Sequence, residues 1–246
     1  MPVEVFPNAP IEEAIIAVRV FRLDDLTSSA EHFHRAVIDL LPEREEITDT
    51  PIPQFSPERA PRVTAARGGP TGVRFSSPDR LQAAAITRTG FSFHRLRPYV
   101  RWEQFEEGLW PAWRAFVSYF GPESIEELRL RYLNRIVIPR TDFELADYFN
   151  THPKLPPSLD TGMRGFLTRL SLFDLDIPAE ATITLHSVEE EAQTGLYPVI
   201  FDIDVATMLP FRPTDAALME RVRSLRNYKD RLFFDSITEA TRELFR

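Results

Sequence analysis

Hydrophobic and polar positions alternate with a period of two from Glu13 to Arg22. Ala14, Ile16, Val18 and Val20 share one side, and Ile15, Ala17, Arg19 and Phe21 the other, which predicts a strand with both faces at least partly covered. The period then lengthens. Leu26, Phe33, Val37 and Leu40/Leu41 recur at helical steps until Pro42, so Asp25 to Leu41 reads as a helix with one apolar stripe. Pro51, Pro53, Pro57 and Pro61 interrupt residues 42–70, predicting an irregular, exposed or partner-covering connector. Gly72 to Phe75, Leu81 to Arg88 and Phe91 to Leu96 return to strand pattern, and Thr89-Gly90 between the last two suits a tight hairpin. Trp102, Phe105, Leu109, Trp113, Phe116, Val117 and Phe120 then form a helical stripe containing Pro111, an expected kink, and Gly121-Pro122 ends it.

The second half restarts the series. Leu128 to Ile138 is the longest alternating strand. Thr141 to Phe149 predicts a short helix with Thr141 as N-cap and Glu144 at the capping-box position. Phe166 to Phe173, Ala181 to Val188 and Val199 to Val205 are three further strands. Asp215 to Leu232 is a long helix with seam Leu218, Val222, Leu225, Lys229 and Leu232, followed by a helical piece that Ser236 and Glu239 could cap. Residues 1–122 and 123–246 thus each read strand, helix, three strands, helix, an element order that suggests a pseudo-duplicated compact unit without residue identity between halves. Such an order does not alternate strand and helix as a parallel doubly wound fold does. The expected class is α+β, with antiparallel curved sheets and helices on one face, in a TATA-binding-protein-like or helix-grip-like order.

Composition narrows the function classes. The 246 residues include 19 Phe and no Cys, enough apolar surface for a sizeable core and none of the thiols that disulfide scaffolds, thiol catalysis or cysteine-ligated metals need. No apolar run reaches the roughly 20 residues of a membrane-spanning helix, and the first 21 residues do not read as a secretory leader, so a cytoplasmic location is expected. The formal net charge is −8, but it is uneven: Glu58 to Arg114 has ten Arg against five acids, and Asp142 to Asp204 twelve acids against three basic residues. The acidic total argues against a dedicated duplex-DNA binder. The two segments read either as solvated faces that attract each other or a partner, or as a basic face for anions. Of 29 basic residues only Lys154 and Lys229 are lysines, so cationic contacts here are nearly all planar and able to form bidentate pairs.

The strand Leu128 to Ile138 carries the most chemistry. Arg129, Arg131 and Arg135 lie on one face, where they could cradle a carboxylate or phosphate, and Asn134 interrupts the other, apolar face. A buried amide must find partners, either a neighbouring strand or bulge, or a ligand. Asp202 and Asp204 share one strand face and could ligate Mg²⁺, or pair with those arginines, and Asp174 with Asp176 repeats the spacing before Pro178. Arg95, Arg97 and Arg101 cluster beside Tyr99 and Trp102, a combination that either clamps a nucleotide or forms an exposed rim. Lys229 lies on a buried seam, where its ammonium needs a carboxylate or a ligand anion unless it snorkels to solvent. The five His have no metal-binding spacing, and neither a nucleophile elbow nor a phosphate loop occurs.

Four segments together resemble a known family: Asn8-Ala9-Pro10-Ile11-Glu12-Glu13-Ala14; Phe93-His94-Arg95-Leu96-Arg97-Pro98-Tyr99 with Trp102; Leu130-Arg131-Tyr132-Leu133-Asn134-Arg135-Ile136; and the closing stretch from Lys229-Asp230 to Phe245. Over essentially its whole length the chain is similar to a sporadically distributed bacterial family of uncharacterised proteins of about 250 residues. The resemblance supplies no catalytic residue; it implies an accessory bacterial protein of the kind found in defence, toxin–antitoxin and other mobile loci. The expected function is a non-catalytic protein binding a small anionic ligand or a protein partner, with Arg95, Arg129, Arg131, Asn134, Arg135 and Lys229 as candidate contacts, no cofactor, and room for a homo-oligomer. The alternatives are a Mg²⁺-dependent phosphoryl-transfer or hydrolytic enzyme using Asp202 and Asp204, and an RNA or single-strand binder acting through the basic segment.

Overall fold

The computed structural model describes residues 6–48, 71–99, 101–139, 142–156, 158–159, 161–188 and 195–246. Among them run β1 (Ile11–Arg19), α1 (Leu26–Val37), β2 (Glu43–Ile47), β3 (Gly72–Ser76), β4 (Gln82–Thr87), β5 (Gly90–Leu96), α2 (Trp102–Phe120), β6 (Glu127–Ile138), α3 (Leu145–Tyr148), β7 (Leu167–Phe173), β8 (Glu180–Ser187), β9 (Tyr197–Thr207), α4 (Asp215–Ser236) and α5 (Glu239–Glu243). The class is α+β. All nine strands form one antiparallel, curved, open sheet in the order β2-β3-β4-β5-β1-β6-β9-β8-β7. From the central β1–β6 pair the order runs outward as β5, β4, β3 on one side and β9, β8, β7 on the other.

Local chemistry explains the element ends. Asp25 caps α1 by accepting from the Ser28 N–H at 3.0 Å, and Thr214 caps α4 through the Ala217 N–H. Gly121 closes α2 in the left-handed region at φ 53°, its N–H donating to the Val117 carbonyl, a conformation that suits glycine. Pro111 lies inside α2 without ending it.

Three details differ from the sequence reading. The start of the Pro-rich connector is not irregular: Glu43–Ile47 pairs along β3 as an edge strand, its main-chain hydrogen bonds outweighing a charged sequence of poor strand propensity. Residues 49–70 lie outside the described residues, as does Thr141. The helix expected there is the single turn α3, with Glu144 as N-cap and Asp147 completing the box. Neither Ser236 nor Glu239 caps the last helix; Thr238 does, and Ser236 is the buried end of α4.

One hydrophobic core holds the unit together. Ala14, Ile16 and Val18 of β1, Phe91 and Phe93 of β5, Leu128, Leu130 and Ile136 of β6 and Phe201 and Ile203 of β9 all point to the same side, where α1, α2 and α4 cover them. Trp113 packs at a tilt against Phe91 and Phe116 in this core, so this tryptophan of α2 faces inward. The opposite face of the sheet carries the alternate residues and is half-exposed.

Candidate functional site

Strand β6 divides the candidates between the two faces of the sheet. On the open face Arg131 meets Asp202 in a two-pronged pair, Nε to Oδ1 at 2.8 Å and Nη2 to Oδ2 at 2.6 Å. Arg129 lies between Glu127, at 2.7 Å, and Asp204, at 2.5 Å. In the ladder Arg131 stands opposite Asp204 and Arg129 opposite Ala206, so each guanidinium leans diagonally to an acid further along β9. Burial pushes the Asp204 carboxyl above its ordinary value despite Arg129 beside it, and its Oδ1 is buried without a hydrogen-bond partner. Arg135 shares this face. The arginines and aspartates that the sequence offered as separate sites are thus largely spent on each other. Asp174 and Asp176 lie in a bend, where Asp174 accepts from the Asp176 and Ile177 N–H groups and pairs with Arg231.

Arg95 lies on the other side. It follows Phe91 and Phe93 in strand parity and stands opposite Ala14 and Gln82, so the sheet itself separates it from Arg131. Its Nε and the Gln82 Oε1 are both buried and unpartnered. Gly108 of α2 passes directly above, and a Cβ there would come 2.1 Å from that Oε1 and 2.7 Å from Cζ of the fully buried Phe93 ring, a close approach that glycine allows inside the helix.

Asn134 and Lys229 do come together, in a cavity of about 150 Å³ between the chain before β1, the start of α2, strand β6 and helix α4. Phe6, Ile11, Trp102, Phe233 and Phe234 supply apolar walls; Tyr99, Tyr132, Asn134, Arg226, Lys229 and Asp230 supply polar groups; exposed Arg101 and Glu103 flank the mouth. A β-bulge between Ile11 and Glu13 shifts the β1–β6 register beside Asn134. The amide Nδ2 donates to the Phe201 carbonyl at 2.9 Å and the Tyr132 carbonyl at 3.3 Å. Both amide protons are thereby spent, and Oδ1 has no donor among the described residues.

Lys229 does not snorkel to solvent. Its residue is 8% exposed, with Nζ 4.2 Å from the centre of the Tyr132 ring and paired with Asp230 Oδ1. Snorkelling fails because Lys229 projects from the buried seam of α4 toward β6, where a cation–π contact and a carboxylate replace water. Burial pulls the ammonium below its ordinary value, with Asp230 opposing. Asp230 Oδ2 is buried without a partner.

Across the floor, the Tyr99 and Tyr132 hydroxyls are 3.1 Å apart. One donates to the other, so the second hydroxyl proton has no acceptor among the described residues. Burial raises Tyr99 to about 12 and Tyr132 well above the ordinary tyrosine value, so both stay protonated donors at neutral pH. Arg226 stacks over Trp102 at 5.0 Å.

The cavity therefore offers a hydroxyl and an ammonium as donors, an amide oxygen as acceptor, and aromatic walls. Sequence reasoning found Asn134 and Lys229 but not their partners Tyr99, Tyr132 and Asp230 as a site. The one signal was Lys229 on an apolar seam, which demanded a counter-charge, and Asp230 is the next residue.

Neither a protein-family model nor a curated protein matches the chain. Among the described residues no group of three or more His, Asp or Glu side chains gathers as a metal site would, and no helix is long and apolar enough to cross a membrane.

Proposed function

We propose that the protein is a non-catalytic binding protein whose ligand is a single-ring polar molecule held in the cavity between β6, α2 and α4. The observation that carries this reading is the meeting of Asn134 Oδ1, the Tyr99–Tyr132 hydroxyl pair and the Lys229 ammonium in one aromatic-walled space of about 150 Å³. A cavity of that size takes about one benzene-sized ring. Its acceptor and donors ask for a guest with both an N–H and a carbonyl or carboxylate oxygen. The four segments on which the resemblance to the sporadic bacterial family rests all contribute to its walls: Pro10 and Ile11, Tyr99 and Trp102, Tyr132 and Asn134, and Lys229 and Asp230. We carry membership of that family, an accessory role and a cytoplasmic setting into this proposal on the sequence alone. The placing of β5, β4, β3 and of β9, β8, β7 about the central β1–β6 pair supports a duplicated origin.

The other readings ask for groups already in use. A Mg²⁺ site at Asp202 and Asp204 would have to displace Arg131 from both Asp202 oxygens and Arg129 from Asp204 Oδ2, with only the buried Oδ1 of Asp204 unclaimed, and a nucleic-acid face on β6 needs those same guanidinium groups.

The test is native mass spectrometry of the protein from a bacterial host, with titration of benzamide and benzoate followed by tryptophan fluorescence. Saturable binding, or a retained small molecule, that is abolished by the cavity-filling variant Ala9→Phe is expected. A protein that retains nothing and responds to neither probe overturns the reading.

A further inference from the structure

The two edges of the sheet are built in opposite ways. At one edge β2 reads Glu43-Arg44-Glu45-Glu46-Ile47, and Arg44 and Glu46 stand opposite the core residues Phe75 and Val73. Their charges thus point toward the helix-covered side. Charges on an edge, some turned inward, are a standard guard against edge-to-edge association.

At the other edge β7 has no such guard. Leu167 and Phe173 are 71% and 72% exposed on the open face, Leu170 is 37% exposed on the helix side, and Arg169 is the only charged residue of the strand. Among the described residues no strand pairs with the outer side of β7.

The β7–β8 ladder fixes which main-chain groups of β7 face away from β8. Phe166 and Ser187 share a hydrogen bond, as do Asp174 and Ala179, and the register between them pairs Thr168 with Leu185, Leu170 with Ile183 and Leu172 with Ala181. Antiparallel hydrogen-bonded pairs alternate, so the even-numbered residues of β7 bond to β8. The N–H and C=O groups of Leu167, Arg169, Ser171 and Phe173 point outward.

We propose that a second copy of this chain pairs antiparallel with β7 through those groups, about a two-fold axis at Leu170, joining two sheets into one. In that register all four outward residues pair: Leu167 with Phe173 of the second copy and Arg169 with Ser171. On the helix side Leu170 meets its own equivalent and Thr168 meets Leu172. Leu167 faces Phe173 and Leu170 its own equivalent, so the large apolar groups meet apolar groups, and no charge stands directly opposite a like charge. A β7-to-β2 pairing would instead set Leu and Phe against Glu and would propagate without closing. The self-pairing matches, and it closes.

The experiment is sedimentation velocity and light scattering on the full chain from about 1 to 100 µM, a range suited to an interface at the small end of the size scale. The expected mass rises toward twice the 28.4 kDa of the monomer. Leu170→Lys, which puts like charges face to face on the axis, and Ser171→Pro, which removes an outward N–H without touching the β8 ladder, should each hold the protein at monomer mass. Their circular dichroism at low concentration should match the parent's. If either variant unfolds, Phe173→Lys on the open face reads the same interface. A parent that stays monomeric at 100 µM, or a dimer that survives the folded variants, overturns the proposal.

Discussion

Arg131 and Asn134 are three residues apart on β6, yet they belong to different chemical worlds. On the open face Arg129, Arg131, Asp202 and Asp204 form a dense network in which the two arginine side chains stay 41% and 43% exposed while Asp204 and Asp202 are 18% and 16% exposed, so each pair reaches water on its arginine side. Water competes there, and pairs of this kind are worth about 0–1 kcal/mol each. On the covered face the Lys229–Asp230 pair has 11% exposure at each side chain. There each charge depends on its partner, the Tyr132 ring and little else. The lesson is that the more charged face offers a ligand less: its ions neutralise each other and leave one buried Asp204 oxygen unclaimed, while the sparsely charged face gathers several polar groups the fold has not satisfied.

The sharpest way to break this contrast is to unpair the buried ions. Asp230→Ala leaves a buried ammonium without its carboxylate and should destabilise the protein by about 3–5 kcal/mol in denaturant unfolding. The double variant Lys229→Met with Asp230→Leu removes both charges and should recover most of that loss. A double variant no more stable than Asp230→Ala would show that the pair is held by packing and not by charge.

The alternation of β6 was legible from sequence, including Asn134 on the apolar face and the arginines on the other, because a period of two needs only neighbouring residues. The same parity along Phe91, Phe93 and Arg95 places Arg95 on the helix side. Grouping it with Arg131 fails because faces on different strands can be matched only through register, and here β1 intervenes. The α+β class was also readable. What was not readable is the cavity: Tyr99 and Tyr132 meet over 33 residues of separation, and Lys229 reaches them from a third element. Edge strand β2 was hidden for a different reason. Its sequence is nearly all charged, and only pairing along β3 makes it a strand.

A second, smaller effect separates the faces by pH. With Tyr99 raised to about 12 by burial, the folded protein keeps that phenolic proton above the ordinary value of 10, where the unfolded chain gives it up. Stability from this group is complete below pH 10 and is lost as pH rises toward 12, on the order of 2 kcal/mol in all. Phenolate absorbance should show tyrosines that resist ionisation until the protein unfolds, and Tyr99→Phe should remove part of the alkaline loss. Ionisation of every tyrosine near pH 10 in the folded protein would mean that the cavity is wet.

The smallest effect is expected where the charges are densest. Arg131→Ala breaks a two-pronged contact with Asp202, whose side chain is 16% exposed but lies on the half-exposed face, where water can enter the space the guanidinium leaves. The loss should not exceed about 1 kcal/mol and should shrink further in high salt, as expected of partly exposed pairs. Ligand binding in the cavity should be unchanged, because β6 itself stands between Arg131 and Asn134. A loss as large as that of Asp230→Ala would erase the distinction between the faces and return the arginine network to consideration as the site.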